Sequence, residues 1–188
     1  MLIDPKECQL LFVHLQDEAL ASAKSEDKAR IAKAAGALAD FGSLLDLPMT
    51  FGIVPSEDGI AEPLPCLLPH SNETNTFHRQ AASVFLDPPL ADRLDANRRP
   101  TLLIAGYATE VAVLHAALDA LATTYRVYVA VDAIGGMSPR TEHAVLGQIA
   151  RAGGELTSVA ALLSMLAPDF ASEPGTTALR IIKSLGTG

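Results

Sequence analysis

Short, largely uninterrupted apolar runs constrain this chain more than any other feature. Leu10-Leu11-Phe12-Val13 and the segments 49–54, 101–105 and 126–131 lack the apolar–polar alternation of a half-exposed strand. A strand that is apolar on both sides must be covered on both sides, the condition of a parallel sheet between two helix layers. The stretches between these runs have helical length and period. Over residues 27–45, Ile31, Ala35, Leu38, Phe41 and Leu45 fall on one stripe, and Pro48 follows it. Residues 90–94 suit a short helix and residues 110–123 a longer one rich in Ala, Leu and Val. Ser138-Pro139 opens another with a capping hydroxyl and a first-position proline, and Gly153-Gly154 closes it. A short strand is expected at 76–79 and an edge strand at 156–157, with Ser158 capping a last short helix that ends near Pro168. Residues 55–75, rich in Pro, Ser, Asn and acid, read as a loop. The alternation predicts an α/β domain with three layers, α/β/α, around a mostly parallel sheet.

The 188 residues fit one such domain, expected over 1–170, and 49% hydrophobic content supplies its core. Residues 171–188 differ. A Ser/Pro/Gly/Thr linker runs over 171–177. It precedes a small amphipathic piece at 178–185, with Leu179, Ile182 and Leu185 in helical register. That tail is expected either to fray or to act as an arm on a neighbouring subunit. Fourteen basic against 22 acidic residues give a formal charge of −8. With no basic run, neither nucleic acid nor an anionic membrane is an expected partner. Residues 102–122 are interrupted by Glu110, His115 and Asp119, so they do not read as a membrane span. The acidic residues flanking the first apolar run do not suit a signal peptide, and two cysteines make no disulfide framework. A reducing, cytoplasmic location is expected. HExxH, CxxC, GxGxxG and Walker patterns are missing from the sequence, so no metal and no cofactor are expected.

In an open α/β sheet, ligands bind where strands end at their carboxyl edges, near the reversal of strand order. That rule selects His14 after the first strand, Arg79 after the third, Asp132 after the fifth, and the bend 106–112 after the fourth. The bend is the most informative stretch, because a strand meets a tight glycine turn and runs straight into a helix. The first N–H groups of such a helix lack intrahelical partners and suit an anion or a developing oxyanion. A cysteine there would have its thiolate stabilised. Here the first turn reads Glu110, Val111, Ala112, Val113, and a methyl group cannot attack a carbonyl.

The stretch GYATEVAVLHAALDALATTYRVYVAVDA resembles the signature of the isochorismatase-like cysteine hydrolases, which reads G-x-A-T-E/D-x-C-V ahead of a helix and a strand ending in Asp-Ala. Leu11 to Gln16 resembles that family's L-x-x-D-x-Q, and Arg79 to Phe85 resembles K-x-x-x-S-A-F. The likeness spans about residues 8–170 and includes isochorismatases, nicotinamidases and N-carbamoylsarcosine amidases. It implies a Rossmann-like fold, a cis peptide at Tyr107–Ala108, and assembly as a dimer, tetramer or larger ring. It also implies a Cys nucleophile, an Asp that takes its proton and a Lys that holds the charged site. By motif these fall on Ala112, His14 and Arg79, so all three differ here. Two functions are therefore expected. One is a family member inactive by the cysteine mechanism, an oligomer that binds a small acid or amide or has a structural or regulatory role. The other is a hydrolase of a small amide, ester or vinyl ether. In it His14 is the acid or base, Arg79 the charge holder, and the N–H groups of Ala108 and Ala112 the oxyanion hole.

Other polar residues have blander expected roles. Thr109 suits an N-cap and Glu110 the first helical turn. Asp17 suits the loop after the first strand. Cys8 and Cys66 suit inert thiols, His143 a solvated helix face, and His115 the sheet or a subunit contact. His70 and His78 flank HSNETNTFH without an acid at metal-ligand spacing.

Overall fold

The computed structural model describes residues 2–55 and 61–186. Six parallel strands, β1 (Cys8–Val13), β2 (Met49–Ile53), β3 (Thr76–His78), β4 (Thr101–Tyr107), β5 (Arg126–Gly135) and β6 (Glu155–Thr157), form one sheet in the order β3-β2-β1-β4-β5-β6. The helices are α1 (Asp17–Leu20), α2 (Lys28–Leu44), α3 (Pro88–Ala96), α4 (Leu114–Ala122), α5 (Pro139–Arg151), α6 (Val159–Leu166) and α7 (Glu173–Leu185). This is the expected α/β sandwich.

The side-chain alternation of each strand explains the apolar runs. Leu10 and Phe12 of β1 join Leu103 and Ala105 of β4 in a core with α2 and α6, where the Phe12 and Phe51 rings stack 5.1 Å apart. Leu11 and Val13 point the other way, with Leu102 and Ile104, into a core with α3, α4 and α5. Each buried Leu, Ile, Val or Phe side chain among these contributes roughly 2 kcal/mol relative to exposure. Strand order reverses between β1 and β4, so their carboxyl ends form the switch point. Gly106 permits the close approach there. A Cβ on it would lie 2.3 Å from Val13 Cγ2 and 2.6 Å from the Val13 carbonyl oxygen.

Four segments depart from expectation. The short helix α1, with Asp17 at its start, replaces a loop, and Lys28 meets the Asp17 carboxylate at 3.0 Å. β5 continues beyond residue 131 to Gly135 through an irregularity. Ile104 faces Val129 but Gly106 already faces Ile134. The helix expected over 110–123 instead opens with one π-helical turn, Thr109–Val113. Helix α7 begins inside the expected linker because Ser172 caps it and Pro174 occupies its first turn. Its Ala178 is fully buried, and Ile181, Ile182 and Leu185 pack on the α2–α6 core of the same chain. Of the loop 55–75, residues 56–60 lie outside the described residues, and Leu68–His70 form a 3₁₀ turn. Among the described residues, no helix is long and apolar enough to cross a membrane.

Candidate ligand site at the switch point

His14 follows β1 directly. Its backbone is left-handed, with φ of 57°, and its N–H donates to the Gly52 carbonyl at 2.7 Å. The turn brings its ring to 5.6 Å from that of Tyr107 at the end of β4, tilted by 38°. Two residues on, Gln16 is buried and clamps Val54. Its Nε2 donates to the Val54 carbonyl and its Oε1 accepts the Val54 N–H, each at 2.8 Å. That pair fixes which end of the amide is oxygen. His14 Nδ1 lies 3.1 Å from the same Oε1 and is therefore the protonated nitrogen. Nε2 keeps the lone pair in the neutral ring.

Burial lowers the His14 pKa from its ordinary 6.5, and the Arg79 cation lowers it further, against the Gln16 hydrogen bond that raises it. The folded chain thus binds this proton more weakly than the unfolded chain. The stability contributed by neutral His14 is present above 6.5 and lost as pH falls through the folded-state value. We expect His14→Asn, which also tolerates left-handed backbone, to flatten the fall in denaturation midpoint between neutral pH and pH below 6. Parallel midpoint curves for variant and parent count against this assignment.

A cavity of about 400 Å³ opens at this point, lined by His14, Gln16, Glu18, Ser22, Val54 and Tyr107 among others. Burial, with the Glu110 charge, raises the Tyr107 pKa, against a side-chain interaction with Ser22 that lowers it. A larger hollow of about 480 Å³ around Arg99, Pro100 and Tyr125 lies at the amino-terminal ends of β4 and β5, away from the switch point.

Arg79 and Ala112 are not among the residues lining the switch-point cavity. Arg79 is 3% exposed, and its N–H donates to the Ile53 carbonyl at 2.8 Å. The guanidinium Nη1 donates to the Ala81 and Ala82 carbonyls, while Nε is buried with no partner among the described residues. Its stem passes Gly52 beside Leu90 and Val84, which belong to the α3–α5 core. Ala112 belongs to that core too, whereas Tyr107 and Ala108 belong to the opposite one. Of the three motif positions, His14 alone lines the cavity; Arg79 reaches it through its charge.

The bend has the implied cis peptide at Tyr107–Ala108. Its amides correct the oxyanion-hole expectation. The Ala112 N–H donates to the Ala108 carbonyl at 2.9 Å, and the same oxygen accepts from Val111 at 3.0 Å and Val113 at 3.4 Å. One of the two proposed donors is therefore spent. Thr109 is a correction as well. Ala108 occupies the cap position, and the fully buried Thr109 hydroxyl donates to Glu142 at 2.9 Å, beside Ser25 at 2.8 Å. Glu110 accepts the Met137 N–H at 2.9 Å and the Thr141 hydroxyl at 2.5 Å, tying the bend to α5. Asp132 is not at the site. It leaves the ladder at the β5 irregularity and accepts the Val159 N–H at 2.8 Å, capping α6.

His70 pairs with Asp40 at 2.9 Å, and His78, His115 and His143 are exposed on β3, α4 and α5. Reading the residues alone missed the Gln16–Val54 clamp, Ser22 and Glu18. Gln16 carried a signal, since it ends the first-strand pattern, but its partner lies 38 residues away.

The sequence matches the family model described as the isochorismatase domain over residues 8–161. The fold is similar to the YcaC gene product of Escherichia coli, an octameric hydrolase of unknown specificity. The TM-score is 0.90 at 21% identity, covering 100% of this chain and 91% of that one. It is similar to YcaC from Pseudomonas aeruginosa, solved with hexane-2,5-diol and covalent acrylamide, at TM-score 0.87 and 22% identity over 99% and 98% of the two chains. A third similar structure is the MAR1 ribonuclease of Caenorhabditis elegans, at TM-score 0.86 and 23% identity over 97% and 93%. No curated protein matches the sequence.

Proposed function

Because the chain belongs to the isochorismatase family, we propose that it holds a small molecule, an acid or an amide, without the covalent cysteine chemistry its resemblance implies, and that it acts as a homo-oligomer with a binding, structural or regulatory role. The carrying observation is the buried methyl of Ala112 in the first turn after β4, 2% exposed. No other thiol replaces it. Cys8 is at the start of β1, the opposite end of the strand, and burial pushes its thiol up to about 12. Cys66 donates to the Ala32 carbonyl at 3.3 Å, and burial raises its thiol as well. A thiol that stays protonated is a poor nucleophile.

The test is intact mass after incubation with acrylamide and with a panel of amides, esters and vinyl ethers. The expected outcome is neither an acyl-enzyme nor a thioether adduct of acrylamide, and any residual hydrolysis unchanged by prior thiol alkylation. An acyl adduct on Cys8 or Cys66 overturns the reading. The Pseudomonas neighbour's covalent acrylamide makes that reagent a sharp comparison.

A second reading is favoured by the neutral His14 imidazole in the cavity. There His14 activates water for hydrolysis of a small amide, ester or vinyl ether, and Arg79 holds charge. The spent Ala112 N–H weighs against it. It requires turnover that His14→Asn abolishes, and pure protein without turnover eliminates it.

A further inference from the structure

The larger hollow, at the amino-terminal ends of β4 and β5, opens at the opposite end of the sheet from the switch point. Its volume of about 480 Å³ falls within the roughly 300–1,000 Å³ of small-molecule sites. The Phe85 and Tyr125 rings, 6.0 Å apart and tilted by 55°, form an apolar corner in its wall. Burial, with the Asp95 charge, raises the Tyr125 pKa against a side-chain interaction with Gln9 that lowers it, so ring and carboxylate are neighbours.

Two carboxylates, Asp92 and Asp95, and two guanidinium groups, Arg98 and Arg99, supply the charged lining. Among the described residues none of the four is in an ion pair. On a continuing helix Asp95 would meet Arg98 and Arg99 one turn on. Instead α3 stops at Ala96, and Arg98 turns left-handed with φ of 53°, which takes both arginines off the helical path. Arg99 spends Nη1 on the Lys6 carbonyl. The Thr123 hydroxyl donates to the Ala120 carbonyl at 2.7 Å, and Thr124 adds a second hydroxyl but no charge. Asp95 is in the last turn of α3, the end of a helix that favours positive charge. The lining thus offers both signs in equal number beside an aromatic corner. A ligand of one sign meets repulsion as well as attraction there, whereas a zwitterion satisfies both.

We propose that this hollow is a binding site separate from the switch-point cavity, and that it takes an aromatic α-amino acid or another aromatic zwitterion of that size. Its ammonium is held by Asp95, its carboxylate by Arg98, and its ring by Phe85 and Tyr125. Asp92 and Arg99 keep the surrounding charge balanced.

Free phenylalanine, phenethylamine and 3-phenylpropionate share a phenyl ring and a two-carbon arm. They carry both charges, the ammonium alone and the carboxylate alone. Each is titrated into the full chain while the Phe85 and Tyr125 ring signals are followed by NMR, with those of His14 as the monitor of the switch-point cavity. Phenylalanine is expected to shift Phe85 and Tyr125 and to bind at least about threefold tighter than either analogue, the scale of one solvent-exposed ion pair. Added salt should narrow that gap. Asp95→Asn should weaken phenylalanine and phenethylamine but not 3-phenylpropionate. Arg98→Gly, in which glycine suits the left-handed backbone, should weaken phenylalanine and 3-phenylpropionate but not phenethylamine. Either analogue matching phenylalanine at Phe85 and Tyr125, or a variant that weakens all three probes alike, overturns the proposal. So do shifts confined to His14, or no shift with any of the probes.

Discussion

Gly106→Ala is expected to destabilise the fold by about 3 kcal/mol or more and to open the ligand site at the same time. The added Cβ would meet Val13 Cγ2 at 2.3 Å and the Val13 carbonyl oxygen at 2.6 Å, with Val113 Cγ2 at 3.1 Å. A side-chain methyl can rotate away, but the Val13 oxygen belongs to β1 and cannot. Gly106 is paired in register with Val13, so the only relief is to part β1 from β4 at their carboxyl ends. The next residues along those strands are His14 and Tyr107, whose rings define one wall of the cavity. Loss of stability should therefore come with altered His14 and Tyr107 resonances. Gly147→Ala is the control. Its Cβ would meet only the end of the Arg151 side chain at 3.2 Å, inside α5. Alanine there is expected to be neutral or to stabilise by about 0.5 kcal/mol. A Gly106→Ala midpoint within error of the Gly147→Ala midpoint contradicts the account.

Gln16→Ala is expected to cost about 3 kcal/mol, because it strands buried polar groups rather than removing a matched pair. The Val54 N–H and carbonyl lose both their side-chain partners, and His14 Nδ1 loses its acceptor. Gln16 is 5% exposed, so water replaces these bonds poorly. The tautomer of His14 should become mixed, visible in its ring nitrogen shifts. Gln16→Glu separates the two effects. It preserves an acceptor for the Val54 N–H and for His14 but removes the donor to the Val54 carbonyl. It also adds a negative charge that raises the His14 pKa. A Gln16→Ala protein with parental stability and an unmixed tautomer is incompatible with the clamp described.

The fold was legible because hydrophobic period is a local property. Leu10 to Val13 reads as a strand covered on both faces, and in the structure its side chains divide between two cores. Ser138 with Pro139, and Ser158, read as helix starts and are so, because a cap spans only three residues. The linker at 171–177 misled because Ser, Pro and Gly serve helix starts as well as loops. In α7 the Ser172 hydroxyl accepts the Gly175 N–H at 3.2 Å. β5 outran its expected end because the continuation through Asp132 depends on pairing with β4, not on its own polarity.

By itself the sequence determined the layered α/β architecture, the carboxyl-end location of His14, Arg79 and the bend, and the methyl at position 112. Tertiary structure decided which of these share a space. Arg79 and Ala112 pack in the core on one side of the sheet, while His14 opens beside Tyr107 on the other. It also decided which polar groups are already spent. Thr109 is taken by Glu142, the Ala112 N–H by Ala108, and Gln16 by Val54. Apolar periodicity is written in neighbouring residues, whereas the partners of Thr109 and Gln16 lie more than thirty positions away, and only packing brings them within hydrogen-bond reach.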